Sequence, residues 1–402
     1  MCRAPRKYTD LTAVVIGCGD IAHSHITGYR LSGVKVIAVV DPLEAARRQF
    51  QSEYSIPFAF ASFDEFIQKI KCGGEVQPEL VSICTWNGLH AQQTIACAQS
   101  NIIKGIVCEK PIAVGMGEAR RMMQVCEDND VKLVIGHQRR YTPGWNRARK
   151  LITDGAIGEV LRVECTNLNG LLNCGSHGID GSLYVLGDPT VQWVMGAVQR
   201  KTDRFERNTP VEDGCMALIQ TMGSAQIFIQ SDLSRKDAAH GRLIVRGTNG
   251  MIDTTESWVK LFNESSNGWK LLDLGIPEEE IDIMGGMANA RLTKHLVNWI
   301  NGGPESECSI RKAMKTLEVT MALSESARRN ECMYLPLKEE QYPLELMISE
   351  GLLKPKIEGR YDIRAYLTRD NVDEKRYDEL RSKNLAHHQI MLQLHMENQK
   401  HK

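Results

Sequence analysis

The sequence predicts an α/β N-terminal domain built on a doubly wound parallel sheet, followed by an α+β C-terminal domain with an open, mostly antiparallel sheet. Three observations predict it. Short apolar, β-branched runs alternate with helix-forming stretches through the first third of the chain, the pattern of βαβ units with right-handed crossovers. The first of those runs ends in two closely spaced glycines. Beyond about residue 150 the pattern changes to alternating strands broken by hairpin turn signals.

The totals bound the class. The chain has 402 residues, 42% hydrophobic and 25% charged, an ordinary globular composition with length for two or three domains. A net charge of −1 draws neither nucleic acid nor an anionic membrane, so neither is an expected partner. The 12 cysteines form no CxxC pair and several lie in apolar runs, so no metal site and no disulfide framework is expected. The basic N-terminus lacks an apolar signal core and no long apolar span follows, so a cytoplasmic location is expected.

The run Leu11 to Ile16 reads as a strand buried on both faces and opens into Gly17-Cys18-Gly19-Asp20-Ile21-Ala22. Gly17 permits a sharp turn, Gly19 lets a pyrophosphate approach the main chain, and Ala22 takes the helix-packing position of the dinucleotide-binding Rossmann fingerprint. The amides opening the next helix face the phosphates. The following strand, Val36 to Val40, ends at Asp41. A carboxylate there accepts from both ribose hydroxyls of NAD and repels the 2′-phosphate of NADP.

Residues 43–54 are helix-forming, and Ser62-Phe63-Asp64-Glu65 is a capping box for a helix through Ile70. Buried strands are expected at 80–85, 105–108 and 131–135, with helices at 90–99 and 117–128 between them. Ligands of such a sheet lie outside the carboxyl ends of its strands. Those ends carry Thr85, Trp86, Asn87 and His90, then Glu109-Lys110-Pro111, then Gly136-His137-Gln138-Arg139-Arg140-Tyr141. Most lysines are simply solvated, but one in a cofactor crevice can stabilise a developing alkoxide.

In the second half, Val160 to Cys165 alternates as a half-buried strand does. A helix from Ser176 to the stop at Gly187-Asp188-Pro189 would carry His177, Asp180 and Tyr184 on one face. A histidine beside a substrate hydroxyl suits proton abstraction during hydride transfer. Further strands are expected at 193–198, 215–221, 225–230 and 243–246. Asn267-Gly268 is a turn that brings Trp269 to Leu271 back along Val259 to Leu261. Two helices follow, near 286–301 and 309–329. The charged stretch Asn371 to Asn398 reads as helix that docks on a partner subunit or frays, and the tail histidines, His395 and His401 among them, as solvated surface. The expected division is 9–142 for the dinucleotide-binding domain, 143–337 for an α+β substrate-binding and oligomerisation domain, and 338–402 for a partly helical extension.

The segments Gly17 to Ala22, Asp41, Thr85 to His90, Glu109-Lys110-Pro111 and Arg139-Arg140-Tyr141 together resemble the glucose–fructose oxidoreductase, inositol dehydrogenase and rhizopine-catabolism (Gfo/Idh/MocA) family. The resemblance runs from about Thr9 to Leu337. It implies NAD held by Gly17, Cys18, Gly19, Asp20, Ile21, Asp41, Thr85, Asn87, His90, Glu109, Lys110 and Gln138. It also implies a catalytic pair of Lys110 and His177. Substrate contacts are expected from Asn173, Asp180, Tyr141, Arg139 and Trp145, and a homo-oligomer through the C-terminal sheet. Asn173 stands where the family usually has an aspartate, so charge support for His177 would come from Asp180 instead or be weaker. Trp86 replaces a proline common in relatives. The expected activity is oxidation of a secondary alcohol of a sugar or glycoside, favoured at pyranoside C3. Inositol 2-dehydrogenase, a redox glycosidase that recycles its hydride, and a non-catalytic NAD-binding protein are the alternatives.

Overall fold

The computed structural model describes residues 10–233, 241–277, 280–281, 286–369 and 371–400. The N-terminal domain is a parallel sheet of β1 (Thr12–Ile16), β2 (Lys35–Val40), β3 (Phe58–Phe60), β4 (Leu80–Ile83), β5 (Gly105–Cys108) and β6 (Lys132–Ile135). Their order is β3-β2-β1-β4-β5-β6. Helices α1 (Asp20–Leu31), α2 (Glu44–Tyr54), α3 (Phe63–Lys71), α4 (Asn87–Ala98) and α5 (Met116–Asp128) connect the strands. The order reverses beside β1, which pairs with both β2 and β4, and there the crevice for a ligand opens. As the capping box predicts, Ser62 Oγ accepts from Glu65 N at 3.1 Å to start α3. Strand β3 has only three residues, too few for periodicity to reveal. Helix α4 begins at Asn87, directly after the extended Trp86.

The C-terminal domain follows α6 (Pro143–Thr153). Its strands are β7 (Val160–Asn167), β8 (Val191–Gln199), β9 (Thr202–Glu206), β10 (Thr209–Pro210), β11 (Gly214–Thr221), β12 (Gln226–Ser231), β13 (Arg242–Gly247), β14 (Gly250–Thr254), β15 (Val259–Asn263), β16 (Lys270–Leu271) and β17 (Met333–Tyr334). Nine of them form one sheet in the order β16-β15-β14-β13-β7-β12-β11-β8-β17. It is antiparallel except for the β7–β12 pair. The hairpin turn at Asn267-Gly268 brings β16 back along β15 as expected, with Leu271 opposite Lys260 and Lys270 opposite Leu261. Helices α7 (Ser176–Val185), α8 (Gly286–Ile300) and α9 (Ile310–Arg329) complete the domain.

One face of the large sheet is buried under α7 and α9. At Gly196 of β8 a Cβ would lie 2.6 Å from the Leu323 carbonyl of α9, so the glycine permits this close packing. Across the other face Met195, Leu218 and Phe228 follow one another on β8, β11 and β12, then Glu164 of β7 and Ile244 of β13, each wholly or partly exposed.

The extension contributes α10 (Pro343–Ser349), β18 (Ile357–Asp362), α11 (Glu374–Arg381) and α12 (His387–Lys400). Strand β18 joins β9 and β10 in a small sheet of its own. The helical reading of the tail holds, but its expected docking on a partner subunit, or fraying, is corrected. Tyr377, Leu380, Ile390, Met391 and Leu394 pack into the apolar cluster of this chain's own α1 and α2, with Ala22, Ala45 and Phe50. The leucine spacing could announce an apolar stripe, but not which surface it covers. His387 is buried rather than solvated, and His401 lies outside the described residues. Among the described residues no helix is long and apolar enough to cross a membrane.

Trp145 of α6 is fully buried and lies against Gly181 of α7, where a Cβ would stand 2.5 Å from the indole ring. Gly181→Ala should therefore lower stability by about 1–3 kcal/mol, read as a fall in the midpoint of thermal unfolding. An unchanged midpoint would contradict this packing.

Candidate active site

The glycine loop joins β1 to α1. Gly17 has φ +96°, and a Cβ on it would stand 2.7 Å from the Cys84 carbonyl oxygen, so only glycine fits. A Cβ on Gly19 would meet nothing within 4 Å, which leaves the main chain there open to an approaching ligand. No side chain caps α1 at Gly19. An open backbone at an uncapped helix start is the arrangement a pyrophosphate requires. Buried Asp41, at the end of β2, accepts from Cys18 N through Oδ2 and from Leu43 N through Oδ1, both at 2.8 Å.

Several residues expected at the cofactor have protein partners. Thr85 Oγ1 donates to Gln93 Oε1 at 2.6 Å, and Asn87 Nδ2 to Thr209 Oγ1 at 3.1 Å. His90 bridges the carbonyls of Pro111 and Thr85, holding the turn after β5 against the end of β4. Glu109 Oε1 lies 2.9 Å from His25 Nε2, His25 Nδ1 lies 2.9 Å from Ser82 Oγ, and Ser82 Oγ donates to Tyr29 OH at 2.8 Å. Burial pushes the Glu109 carboxyl up, but His25, Lys110 and His90 together outweigh it and the net direction is down. Gly136 gives Glu109 room, since a Cβ there would stand 2.5 Å from Oε1. The chain Tyr29–Ser82–His25–Glu109 thus ties α1 to the Lys110 turn. Gln138 Oε1 is buried without a hydrogen-bond partner among the described residues.

Lys110 is the centre of the site. Its Nζ donates to the Asn173 carbonyl oxygen at 3.2 Å and to Asn173 Oδ1 at 3.1 Å. An ammonium has three N–H groups, so these two bonds leave one for a ligand. Burial pulls the Lys110 pKa below the usual lysine value. Asn173 Nδ2 in turn donates to Glu206 Oε1 of β9 at 2.8 Å. Asn173 lies in a π-helical turn, Gly170–Gly175, that runs directly into α7. The first turn of α7 carries buried His177, whose ring stands edge-on to that of His137, 6.1 Å between centroids. The structure therefore gathers Lys110, Asn173 and His177, expected together, with His137 and Glu206, which sequence reasoning missed. His137 lies in the strand-end segment that the sequence singles out but had no role assigned to it, whereas Glu206 lies on a strand it did not detect.

Four expected substrate contacts are engaged elsewhere, and their placement is corrected. Asp180 is engaged by a guanidinium. It accepts from Arg140 Nε at 3.0 and 2.9 Å, from Arg140 Nη2 at 2.8 Å and from Thr316 Oγ1 at 3.0 Å. The imidazole of His137 also faces it, with Nδ1 3.6 Å from Oδ2. Burial would push the Asp180 carboxyl up, yet Arg140 and His137 hold it low. Arg139 pairs with buried Glu256. Tyr141 is buried beside Ser306, with 3.2 Å between the hydroxyl oxygens. Trp145 belongs to the core described above. For Asp180, Arg139 and Tyr141 the common cause is the short turn at 138–141, whose arginine and tyrosine side chains run into the packed interior. Among the described residues no group of three or more His, Cys, Asp or Glu could hold a metal ion.

Comparison with known proteins accords with this geometry. The family model for the oxidoreductase family with an NAD-binding Rossmann fold matches residues 11–137, and that for its C-terminal α/β domain matches residues 149–337. Inositol 2-dehydrogenase of Rhizobium meliloti is 26% identical over 255 residues, covering 59% of this chain and 73% of that protein. Inositol 2-dehydrogenase of Salmonella paratyphi B is 29% identical over 162 residues, covering 40% of this chain and 46%, about half, of the relative's length. The structure of levoglucosan dehydrogenase in complex with NADH and levoglucosan superposes with a TM-score of 0.70 at 19% identity, covering 81% of this chain and 99% of that one. At that identity the superposition speaks for the fold alone. With the two family models together spanning most of its length, the chain belongs to the Gfo/Idh/MocA oxidoreductase family, and its cofactor is NAD.

Proposed function

We propose that this protein oxidises a secondary alcohol of a sugar, glycoside or cyclitol, with Lys110 and His177 as its catalytic pair. The observation that carries the reading is the half-buried Lys110 ammonium, held on Asn173 at the entrance to the helix that bears His177. The names of the relatives, inositol and levoglucosan dehydrogenases, support a polyhydroxylated substrate. Within that class a pyranoside oxidised at C3 is favoured and inositol is the second reading, because Asn173 departs from the aspartate usual in the family.

NAD supplies the hydride acceptor when bound. Asp41 receives its ribose hydroxyls, and the open main chain at Gly19 receives its pyrophosphate. The free N–H of Lys110 Nζ donates to the substrate hydroxyl oxygen and stabilises negative charge developing there. The imidazole of His177 takes the hydroxyl proton. Asn173, anchored by Glu206, orients Nζ without adding a charge, because an amide offers only dipoles. His90 and the His25–Glu109 contact hold the turn that presents Lys110. The boundaries 9–142, 143–337 and 338–402 belong to the same proposal. So does a homo-oligomer through the outward face of the large sheet, where the exposed Met195–Ile244 row supports it.

The decisive assay follows NADH absorbance with NAD and a panel of pyranosides, inositols and aryl glycosides. Net NADH with one subset is expected. Aglycone released only with NAD present, and without net NADH, would replace the dehydrogenase with a redox glycosidase. With the substrate in hand, Lys110→Met and His177→Ala should each lower kcat by at least about 100-fold while NADH still binds. Unchanged turnover in either variant would remove that residue from the mechanism.

The Lys110 environment also sets a pH dependence. Only the ammonium brings positive charge to the substrate oxygen, so the Lys110 contribution is present below its pKa and lost as pH rises through it. Because burial lowers that pKa, kcat/KM should fall on the alkaline side at a pH below the free-lysine value of about 10.4. Asn173→Asp, which adds a negative charge beside Nζ, should move that limb to higher pH. A limb that stays in place would show that it reports another group.

A further inference from the structure

The extension reaches the glycine loop itself. Arg369 Nη2 lies 3.1 Å from Asp41 Oδ2 and 3.5 Å from the Cys18 carbonyl oxygen. Its Nη1 donates to His387 Nε2 at 2.8 Å, and His387 Nδ1 stands 2.9 Å from Tyr377 OH. His387 and Tyr377 are both buried. Burial and the nearby Arg369 charge press the His387 pKa down to about 2, so the ring is neutral and its Nε2 can accept. Three further contacts seat the same segment. Glu374 accepts from the first amides of α2, Glu44 N and Ala45 N, Asp378 pairs with Arg48, and His388 lies 2.8 Å from Asp20 at the start of α1.

The carboxylate of Asp41 has about four lone-pair positions. Cys18 N, Leu43 N and Arg369 take three of them. The two ribose hydroxyls of NAD require two. The amides are fixed by the backbone of the loop and of the α2 start, so the side chain of Arg369 is the partner that can leave. We propose that the C-terminal extension is a built-in competitor for the adenosine ribose of NAD. Arg369 and the ribose hydroxyls contend for Asp41, and cofactor binding releases Arg369 and loosens the segment 371–394 from α1 and α2. This rests on the reading of Asp41 as the ribose carboxylate and is independent of the substrate.

The test uses the full chain and two probes that divide the cofactor, ADP-ribose and reduced nicotinamide mononucleotide. Calorimetric titration should show Arg369→Ala and Arg369→Gln binding ADP-ribose roughly five- to tenfold more tightly than the parent. Affinity for the mononucleotide, which lacks adenosine, should be unchanged. Asp41→Ala should weaken ADP-ribose binding. If Asp41→Ala weakens it while both Arg369 variants bind ADP-ribose equally or less tightly, the competition is overturned and the ribose reading stands. If Asp41→Ala has no effect, both fall. Hydrogen exchange on the unsubstituted protein guards against misfolded variants. Saturating ADP-ribose should speed exchange of backbone amides within 371–394, and slower or unchanged exchange would overturn the proposal.

Discussion

Fixing one half-buried ammonium at the carboxyl ends of a parallel sheet is the constraint on which the rest of this site depends. Partial loss of water is costly to an ammonium unless its donors are satisfied. Here the partner is an asparagine, which satisfies two donors without supplying charge, so Lys110 is held in place but kept easier to deprotonate than a solvated lysine. The surroundings serve that placement. Asn173 is fixed by Glu206 from one side, and the Lys110 turn is fixed by His90 and the Glu109–His25 contact from the other. The N-terminal domain supplies the lysine, and the C-terminal domain supplies the group that aims it.

The arginines of the turn after β6 do the opposite work. Arg140, almost wholly buried, gathers Asp180 and Asp188, and Arg139 engages Glu256. These pairs lock α7 and the β14–β15 region onto the turn. Removing one partner from such a pair is expected to be far more damaging than its net contribution to stability, because a buried charge is left alone. In this chain Asp180 therefore ties the helix that carries His177 to the turn after β6.

The extension adds a second relation between fold and function. Its helices bury Tyr377, Leu380 and Ile390 in the same apolar cluster that supports α1 and α2. The segment that completes this core thus also delivers Arg369 to Asp41. Apolar packing holds the extension to the domain while a single polar contact meets the carboxylate, so the two can be uncoupled by substitution.

Local pattern was enough for the parallel sheet, the glycine loop, the carboxylate at Asp41 and the lysine after β5, because strand burial, a forced glycine and short spacing are all encoded within a few neighbouring residues. The same holds for the hairpin at Asn267-Gly268 and for the two long helices near the end of the C-terminal domain. Sequence also brought Lys110, Asn173 and His177 to attention, through a family resemblance rather than through periodicity. What it could not supply was the choice of partner. Asp180 meets Arg140, Trp145 fills the space above Gly181 instead of facing a ligand, and Arg369 crosses more than three hundred residues to reach Asp41. Each of those outcomes depends on which surfaces meet, and a carboxylate, an indole or a guanidinium carries no local mark of the group it will face once distant segments pack together.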